Sequence, residues 1–359
     1  MALGELSVDN VRCLEHVELT LHPQRNLIWG GNGSGKTSLL ESLFLLGRGR
    51  SFRTRNSERL IRHGQSQLVV FGRTAPEVLG VQVQPRALGV QVSRSDGTRA
   101  RISGSAAESL TELSQAFPVQ VIDPGIHQLV EEGGYRRRRW LDWAVFHVEP
   151  SLFVEHWARY TRTLKQRNAA LKTQPAQAQV WDGELARLGE LIATARGRLL
   201  ERLQPHWRSV VGSLSGLDVE LHYARGWSQE VPLAEALKEG FARDRTRGLT
   251  HAGPHRGDVV VKLRGRPARD VLSRGQQKLV AIAMTLAELY LIQEAGHAAT
   301  TLLLDDPAAE LDAEHLGRFI ERVRELPCQL VLTSLRSDFA AFGAPDRVFH
   351  VEQGRVLAQ

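Results

Sequence analysis

The sequence predicts an α/β fold: a core sheet carrying a glycine-rich loop, an antiparallel β subdomain, and a mainly helical lobe inserted partway along the chain. Three observations predict it. Residues 26–46 read strand, glycine loop, helix, because Leu27, Ile28 and Trp29 are a short apolar run and Leu39, Leu40, Leu43, Phe44 and Leu46 recur at helical spacing. Residues 276–333 read helix, strand, helix, strand, the βα succession of a parallel sheet. In the middle of the chain, residues 153–199 keep their apolar side chains at helical spacing.

Each element can be justified in turn. Val17, Leu19 and Leu21 alternate with Glu18 and Thr20, the period of a half-buried strand. From 68 to 102 strand signals return: residues 68–72, then Val81 and Val83, then Val90 and Val92. Gly and Pro separate them, which predicts antiparallel hairpins. Phe153, Trp157, Tyr160 and Leu164 then fall at helical spacing, and Trp181, Leu185, Leu188, Ile192 and Leu199 continue it. The pattern predicts two amphipathic helices, 136–172 and 181–203, with Pro175 in the break and the aromatic stripe in the core. Last come a helix over 276–293, a strand over 301–304, a helix over 312–326 and a strand over 330–333. The expected division is a head formed by 1–120 and 245–359, with the lobe at 121–244. There is no internal repeat and no sustained heptad pattern.

Composition narrows the class. The 359 residues are 42% hydrophobic and 24% charged, which suits a globular chain and excludes collagen-like, disulfide-scaffold and low-complexity types. Lys and Arg total 46 against 40 acids, a net +6, and only six of the 46 are Lys. Arg is the bidentate phosphate reader, but a bias of this kind also follows from nucleotide composition, so only the placement of the arginines informs. Two distant cysteines, Cys13 and Cys328, make no paired metal spacing and suit a reducing cytosol. No apolar run reaches the ~20 residues of a membrane helix, and the N-terminal residues lack a signal-peptide core. A cytoplasmic protein is expected.

Gly30-Gly31-Asn32-Gly33-Ser34-Gly35-Lys36-Thr37 fits G-x-x-x-x-G-K-[ST] at every fixed position, with the required strand before and helix after. In such a loop the glycines let backbone N–H groups crowd round phosphates, the Lys reaches the β/γ-phosphates and the Thr hydroxyl ligates Mg²⁺. The helix N-terminus adds its dipole. ATP and Mg²⁺ are therefore the expected ligands, with nucleotide contacts at Gly30, Gly31, Asn32, Gly33, Ser34, Gly35, Lys36, Thr37 and Ser38. The second acid site is read at the end of the apolar strand Thr301-Leu302-Leu303-Leu304: Asp305 to hold Mg²⁺ with Thr37, and Asp306 to polarise water. Lys36 and Asp306 are the expected catalytic pair.

Leu272-Ser273-Arg274-Gly275-Gln276-Gln277-Lys278 resembles the signature motif of ABC-type ATPases, and Pro307-Ala308-Ala309-Glu310-Leu311-Asp312 resembles the D-loop that follows the second acid. The resemblance implies an ABC-type ATPase head with the lobe inserted between the phosphate loop and the signature. It also implies a dimer in which Ser273, Gly275 and Gln276 complete the nucleotide site of the other subunit. The order of blocks resembles the bacterial RecF family more closely still: residues 27–53, Val121-Ile122-Asp123-Pro124, Arg137-Arg138-Arg139-Trp140-Leu141-Asp142, Leu164-Lys165-Gln166-Arg167-Asn168, Gly253-Pro254-His255-Arg256, the signature block and Asp305-Asp306. That family's heads are similar to those of SMC-type proteins, but here the middle helices are too short for a long coiled-coil arm.

Three positions depart from the pattern. Gly257 precedes Asp258 where the family has two acids, Ala309 replaces a D-loop Ser, and Thr333 or Ser334 stands where transporter ATPases place a switch histidine. The last departure implies slow hydrolysis. The RecF resemblance implies an ATP-dependent homodimer, single-stranded and duplex or junction DNA as ligand, a weak DNA-stimulated ATPase, and RecO and RecR as partners in loading RecA during repair, replication and the SOS response. Arginines cluster at 48–62, 94–101, 136–139 and 243–247, where they can neutralise DNA phosphates or serve as a solvated or internally paired face. His255 is read equally as structural or as a nucleotide sensor. A transporter-type ATPase subunit is the alternative, and a dimeric scaffold with structural nucleotide the third reading.

Overall fold

The computed structural model describes residues 2–78, 81–296, 300–337 and 341–358. The chain forms two compact units, Met1–Ile126 with Gly296–Gln359, and His127–Ala295. The first boundary lies close to the expected residue 121. The second lies about fifty residues beyond the expected 244, so residues 245–295 fall in the second unit instead of with the head. The reason is the helix Arg274–Glu294, which is buried on nearly every face and packs along the long helix Asp182–Ser215. A helix apolar all round must be enclosed by its neighbours, and here those neighbours belong to the second unit.

The first unit has two sheets. The core sheet runs Val119–Ile122, Thr301–Leu304, Gln329–Ser334, Arg25–Trp29, Arg347–Glu352 and Arg355–Ala358 in spatial order, parallel except for the last strand. Its central strands are buried on both faces, which explains their continuous apolar runs. The second sheet is wholly antiparallel: Leu14–Thr20, Leu3–Val11, Gln67–Thr74, Ala87–Ser93, Gly97–Ile102 and Ser105–Ala106. Helix Lys36–Arg48 lies between the sheets and shares one hydrophobic cluster with both, including Leu39, Leu43, Leu68, Val90, Leu303 and Val331. The strand, loop, helix reading of 26–46 and the hairpins after 68 match this arrangement, although Val81–Gln82 is only a two-residue strand.

The second unit is mainly helical, with one small antiparallel sheet of Val219–Ala224, Asp258–Leu263 and Arg266–Pro267. The helix expected over 136–172 is two helices, Gly134–Val148 and Pro150–Thr173. A residue before proline is pushed out of the α region; Glu149 sits at φ −132, ψ 58, and Pro150 opens the next helix. The second helix extends through Pro205 to Ser215. Its apolar stripe, including Leu199, Leu203, Trp207 and Val211, is buried and offsets a proline cost of ~3 kcal/mol. Within the aromatic stripe Phe153 and Tyr160 are core residues, while Trp157 lies half-buried beneath the Arg196 guanidinium. Helix Leu233–Arg247 carries no sequence expectation.

Buried arginines brace this unit. Arg167, fully buried, bonds Asp182 at 2.6 Å, Asp244 at 2.8 Å and Thr250 at 2.8 Å, joining three helices and the loop that follows them. Arg196, also fully buried, makes a bidentate pair with Asp142 and donates to the Pro254 carbonyl. Arg137 pairs with Asp258 through two bonds and donates to the carbonyls of Leu129, Val130 and Glu132. Position 257 is a glycine of necessity: a Cβ there would lie 2.9 Å from the Ala224 carbonyl oxygen. The single acid Asp258 therefore holds Arg137 without a carboxylate beside it.

Candidate nucleotide-binding site

The phosphate loop leaves the C-terminal end of strand Arg25–Trp29 and enters helix Lys36–Arg48. Gly33 (φ 75) and Gly35 (φ 121) occupy backbone conformations that side chains resist. Gly30 is required by space, since a Cβ would sit 2.2 Å from the Val351 carbonyl oxygen. Lys36 is buried, and its Nζ donates to the carbonyls of Gly30 and Gly31, both at 2.8 Å. Burial lowers its pKa, and the nearby Asp306 and Asp305 oppose that shift. The Ser34 hydroxyl is buried without a hydrogen-bond partner. A buried donor of this kind carries a desolvation cost until an acceptor arrives, and the phosphates of a nucleotide are such acceptors.

Asp305 emerges from strand Thr301–Leu304 beside the loop. Thr37 Oγ1 lies 3.1 Å from both of its carboxylate oxygens. The structure thus brings together two residues 268 positions apart. Mg²⁺ characteristically takes one or two protein ligands and fills its octahedron with water and phosphate oxygens. The Thr37–Asp305 pair fits that donor set. Asp306 follows in the left-handed conformation (φ 49, ψ 57), which turns it away from the strand direction.

Thr333, fully buried, connects the two acids. Its hydroxyl accepts from the Asp306 N–H at 2.9 Å and donates to Asp305 Oδ1 at 2.9 Å. Ser334 is employed elsewhere, its hydroxyl accepting from the Arg336 N–H. Of the two candidates, Thr333 is therefore the residue that touches the acids.

Another group escaped sequence reasoning. Glu41 on the loop helix is fully buried, held by the Arg12 guanidinium and by the Ser51 hydroxyl at 2.5 Å. Arg12 stands at φ 52 in the first hairpin turn. The pair ties that turn to the helix that begins at Lys36. Glu41 did leave a trace, being a charge inside an apolar helical run, but its partners are distant in sequence.

The signature residues lie in the other unit. Ser273 caps helix Arg274–Glu294: its hydroxyl accepts from the Gln276 N–H, and the Gln276 side chain accepts from the Ser273 N–H. Ser273, Arg274 and Gly275 are exposed. A 21-residue helix thus presents its positive end to solvent. His255 is held from both sides. Its Nε2 faces the Thr250 carbonyl at 3.0 Å and must carry the proton, so Nδ1 accepts from the Tyr160 hydroxyl at 2.7 Å. Burial pushes this imidazole down to about 4. Both ring nitrogens are used internally, which favours the structural reading.

The arginine clusters divide. Arg48 binds the Val119 carbonyl, Arg62 the Cys13 carbonyl, Arg136 Glu132, and Arg138 the Gly257 carbonyl. These side chains serve the fold. The described residues hold no group of three or more metal-binding side chains, and no helix among them is long and apolar enough to cross a membrane.

Comparison with known proteins bears on this site. Residues 2–356 match the family model described as the RecF/RecN/SMC N terminal domain. A DNA replication and repair protein RecF from Xanthomonas euvesicatoria is 40% identical over 367 residues, covering 100% of this chain and 99% of that protein. Its counterpart from Aliivibrio fischeri is 36% identical over 362 residues, 99% of each. Among solved structures, the recombination mediator protein RecF bound to ATP, of the RecFOR pathway, superposes with a TM-score of 0.88 at 26% identity, covering 100% of this chain and 97% of that one. The Pyrococcus furiosus Smc head domain superposes at 0.59 with 16% identity, covering 100% and 96%, a likeness of fold alone.

Proposed function

The chain belongs to the RecF family of DNA replication and repair proteins, and from that premise we propose that it is an ATP-gated DNA-binding recombination mediator. The observation that carries the reading is the convergence of Lys36, Thr37, Asp305, Thr333 and Asp306 at one loop. Lys36 releases the Gly30 and Gly31 carbonyls and turns to the β- and γ-phosphates of ATP. Gly30 to Gly35 and Ser34 wrap the phosphates, with Asn32 at the loop's crown and Ser38 in the helix's first turn. Thr37 and Asp305 would hold Mg²⁺, which would supply charge neutralisation on the phosphates. Asp306 orients the water that attacks the γ-phosphate, and Thr333 fixes Asp306 relative to Asp305.

The exposed N-terminus of helix Arg274–Glu294 supplies the remaining part in trans. Ser273, Gly275 and Gln276 of a second copy face the γ-phosphate and close a homodimer around two nucleotides. The dimer binds DNA where single strand meets duplex and acts with RecO and RecR to place RecA. Hydrolysis, slow without an imidazole at position 333 and stimulated by DNA, reopens it. Membership of this family displaces the transporter-type alternative.

Sedimentation with and without ATP tests the reading. Wild type should dimerise with ATP. Lys36→Met should lose both nucleotide binding and dimerisation. Ser273→Arg should bind nucleotide and remain monomeric, because a large cation fills the anion site of the partner. A wild-type chain that binds ATP and stays monomeric refutes the proposal.

A further inference from the structure

The outer face of the antiparallel sheet carries a surface that the nucleotide site does not use. Strand register places Ser7, Phe71, Gly89 and Arg101 in one row, and Asp9, Val69, Gln91 and Arg99 in the next. The residues between them, Val8, Val70, Val90 and Ala100, are buried. Side chains alternate along a strand, so both named rows face solvent. Outward positions on such a sheet are normally polar, yet Phe71 is 38% exposed and is the one exposed aromatic side chain of this unit among the described residues. Beside it Gly89 leaves a bare strip, since a Cβ there would meet nothing within 4 Å.

Charge is divided across this face. Arg99 and Arg101 lie on one side of Phe71, about 7 Å apart along their strand. Arg101 has no ion-pair partner among the described residues, and Arg99 with its partner Asp96 is well exposed. On the other side the first two strands bring Glu5, Asp9 and Glu18, paired with Arg73 and His16. An anionic backbone would be drawn to the side that carries Arg99 and Arg101.

We infer that this face is a platform for single-stranded nucleic acid. An unpaired base stacks on Phe71 over the bare strip at Gly89, Arg99 and Arg101 take neighbouring phosphates, and Gln91 lies within the same track to meet a base edge. Exposed aromatics on open sheets bind unpaired bases in this way, because every base has a π-face to stack. A duplex offers no free base face and gains only the arginines. The inference does not rest on ATP gating, and it adds a second DNA contact to the reading above.

The test is fluorescence anisotropy without nucleotide, using an oligodeoxythymidylate of about 20 residues and a duplex of the same length. Phe71→Ala should weaken the single-strand complex by about fivefold or more, and Phe71→Trp should keep it. Gly89→Leu, which fills open space on the surface, should weaken it comparably. Arg101→Gln should lower the log–log salt slope by about 0.7. Duplex affinity and binding of a fluorescent ATP analogue should stay at wild-type values in Phe71→Ala and Gly89→Leu, which also reports an intact fold. Unchanged single-strand affinity in both variants overturns the proposal and leaves the face to a protein partner. Equal losses on both DNAs, or a wild type that does not hold the oligonucleotide, overturn it as well. Failure of ATP-dependent dimerisation would remove only the earlier reading, because these measurements contain no nucleotide.

Discussion

Arg167→Leu should destabilise the second unit severely. Arg167 is fully buried, and its guanidinium bonds Asp182, Asp244 and Thr250 at 2.6–2.8 Å. Asp244, itself 1% exposed, would keep only the His251 N–H at 3.1 Å and the His251 ring at 2.8 Å. Thr250 would keep its bonds to Asn168. Breaking a buried pair by removing one partner costs ~3–5 kcal/mol, because a charge is left without its counter-ion. With a urea m-value of about 2 kcal/mol/M for a unit of this size, the midpoint should fall by about 1.5–2.5 M. Tryptophan fluorescence isolates the effect: of the seven tryptophans only Trp29 lies outside residues 127–295. The double variant Arg167→Leu/Asp244→Leu should recover part of the loss, since the fully buried carboxylate is gone and only the partly exposed Asp182 is left without its partner. A midpoint within about 0.3 M of wild type, or a double variant less stable than Arg167→Leu alone, would refute the argument.

Two further outcomes follow from the same reasoning. Thr333→Val removes the hydroxyl that links Asp305 to the Asp306 N–H; steady-state ATPase assays should show kcat lower by about tenfold or more, with Thr333→Ser restoring it, and an unchanged kcat would show that the link is not used in hydrolysis. His255, held down to about 4 by burial, is neutral in the fold and takes a proton more readily when unfolded. Its contribution, about 3 kcal/mol, is complete above the unfolded value near 6.5 and is lost as pH falls from about 6.5 to 4. Urea midpoints of the second unit should slope downward across that window in wild type and flatten in His255→Gln, whereas parallel slopes would mean that other groups dominate.

Much of the candidate nucleotide site was legible because its parts are contiguous. Residues 30–37 hold glycines, lysine and threonine within one loop, and the strand before and helix after announce themselves by local period. Asp305 was legible because four apolar residues precede it. Thr333 was only half legible: its place could be narrowed to two hydroxyls, but which one faces Asp305 depends on the pairing of Gln329–Ser334 between its two neighbouring strands. Glu41 and Arg12 show the harder case. Each is an ordinary charge in its own segment, and their partnership exists only because the first hairpin folds onto the loop helix.

The arginines mark the same division. The count of forty decided nothing by itself, and folding commits Arg48, Arg137, Arg167 and Arg196 to carbonyls and carboxylates of the protein. Composition counts charges and cannot see which become buried. By itself the sequence marked the phosphate-loop motif, the acid pair after an apolar strand, and the family, since these are carried by short contiguous patterns. Only the tertiary structure decided that residues 245–295 pack with the helical unit, that Thr333 joins the two acids, and that Phe71 faces solvent beside Arg101. Those outcomes depend on strand register and on burial between distant segments, where a neighbour in space is no neighbour in the chain.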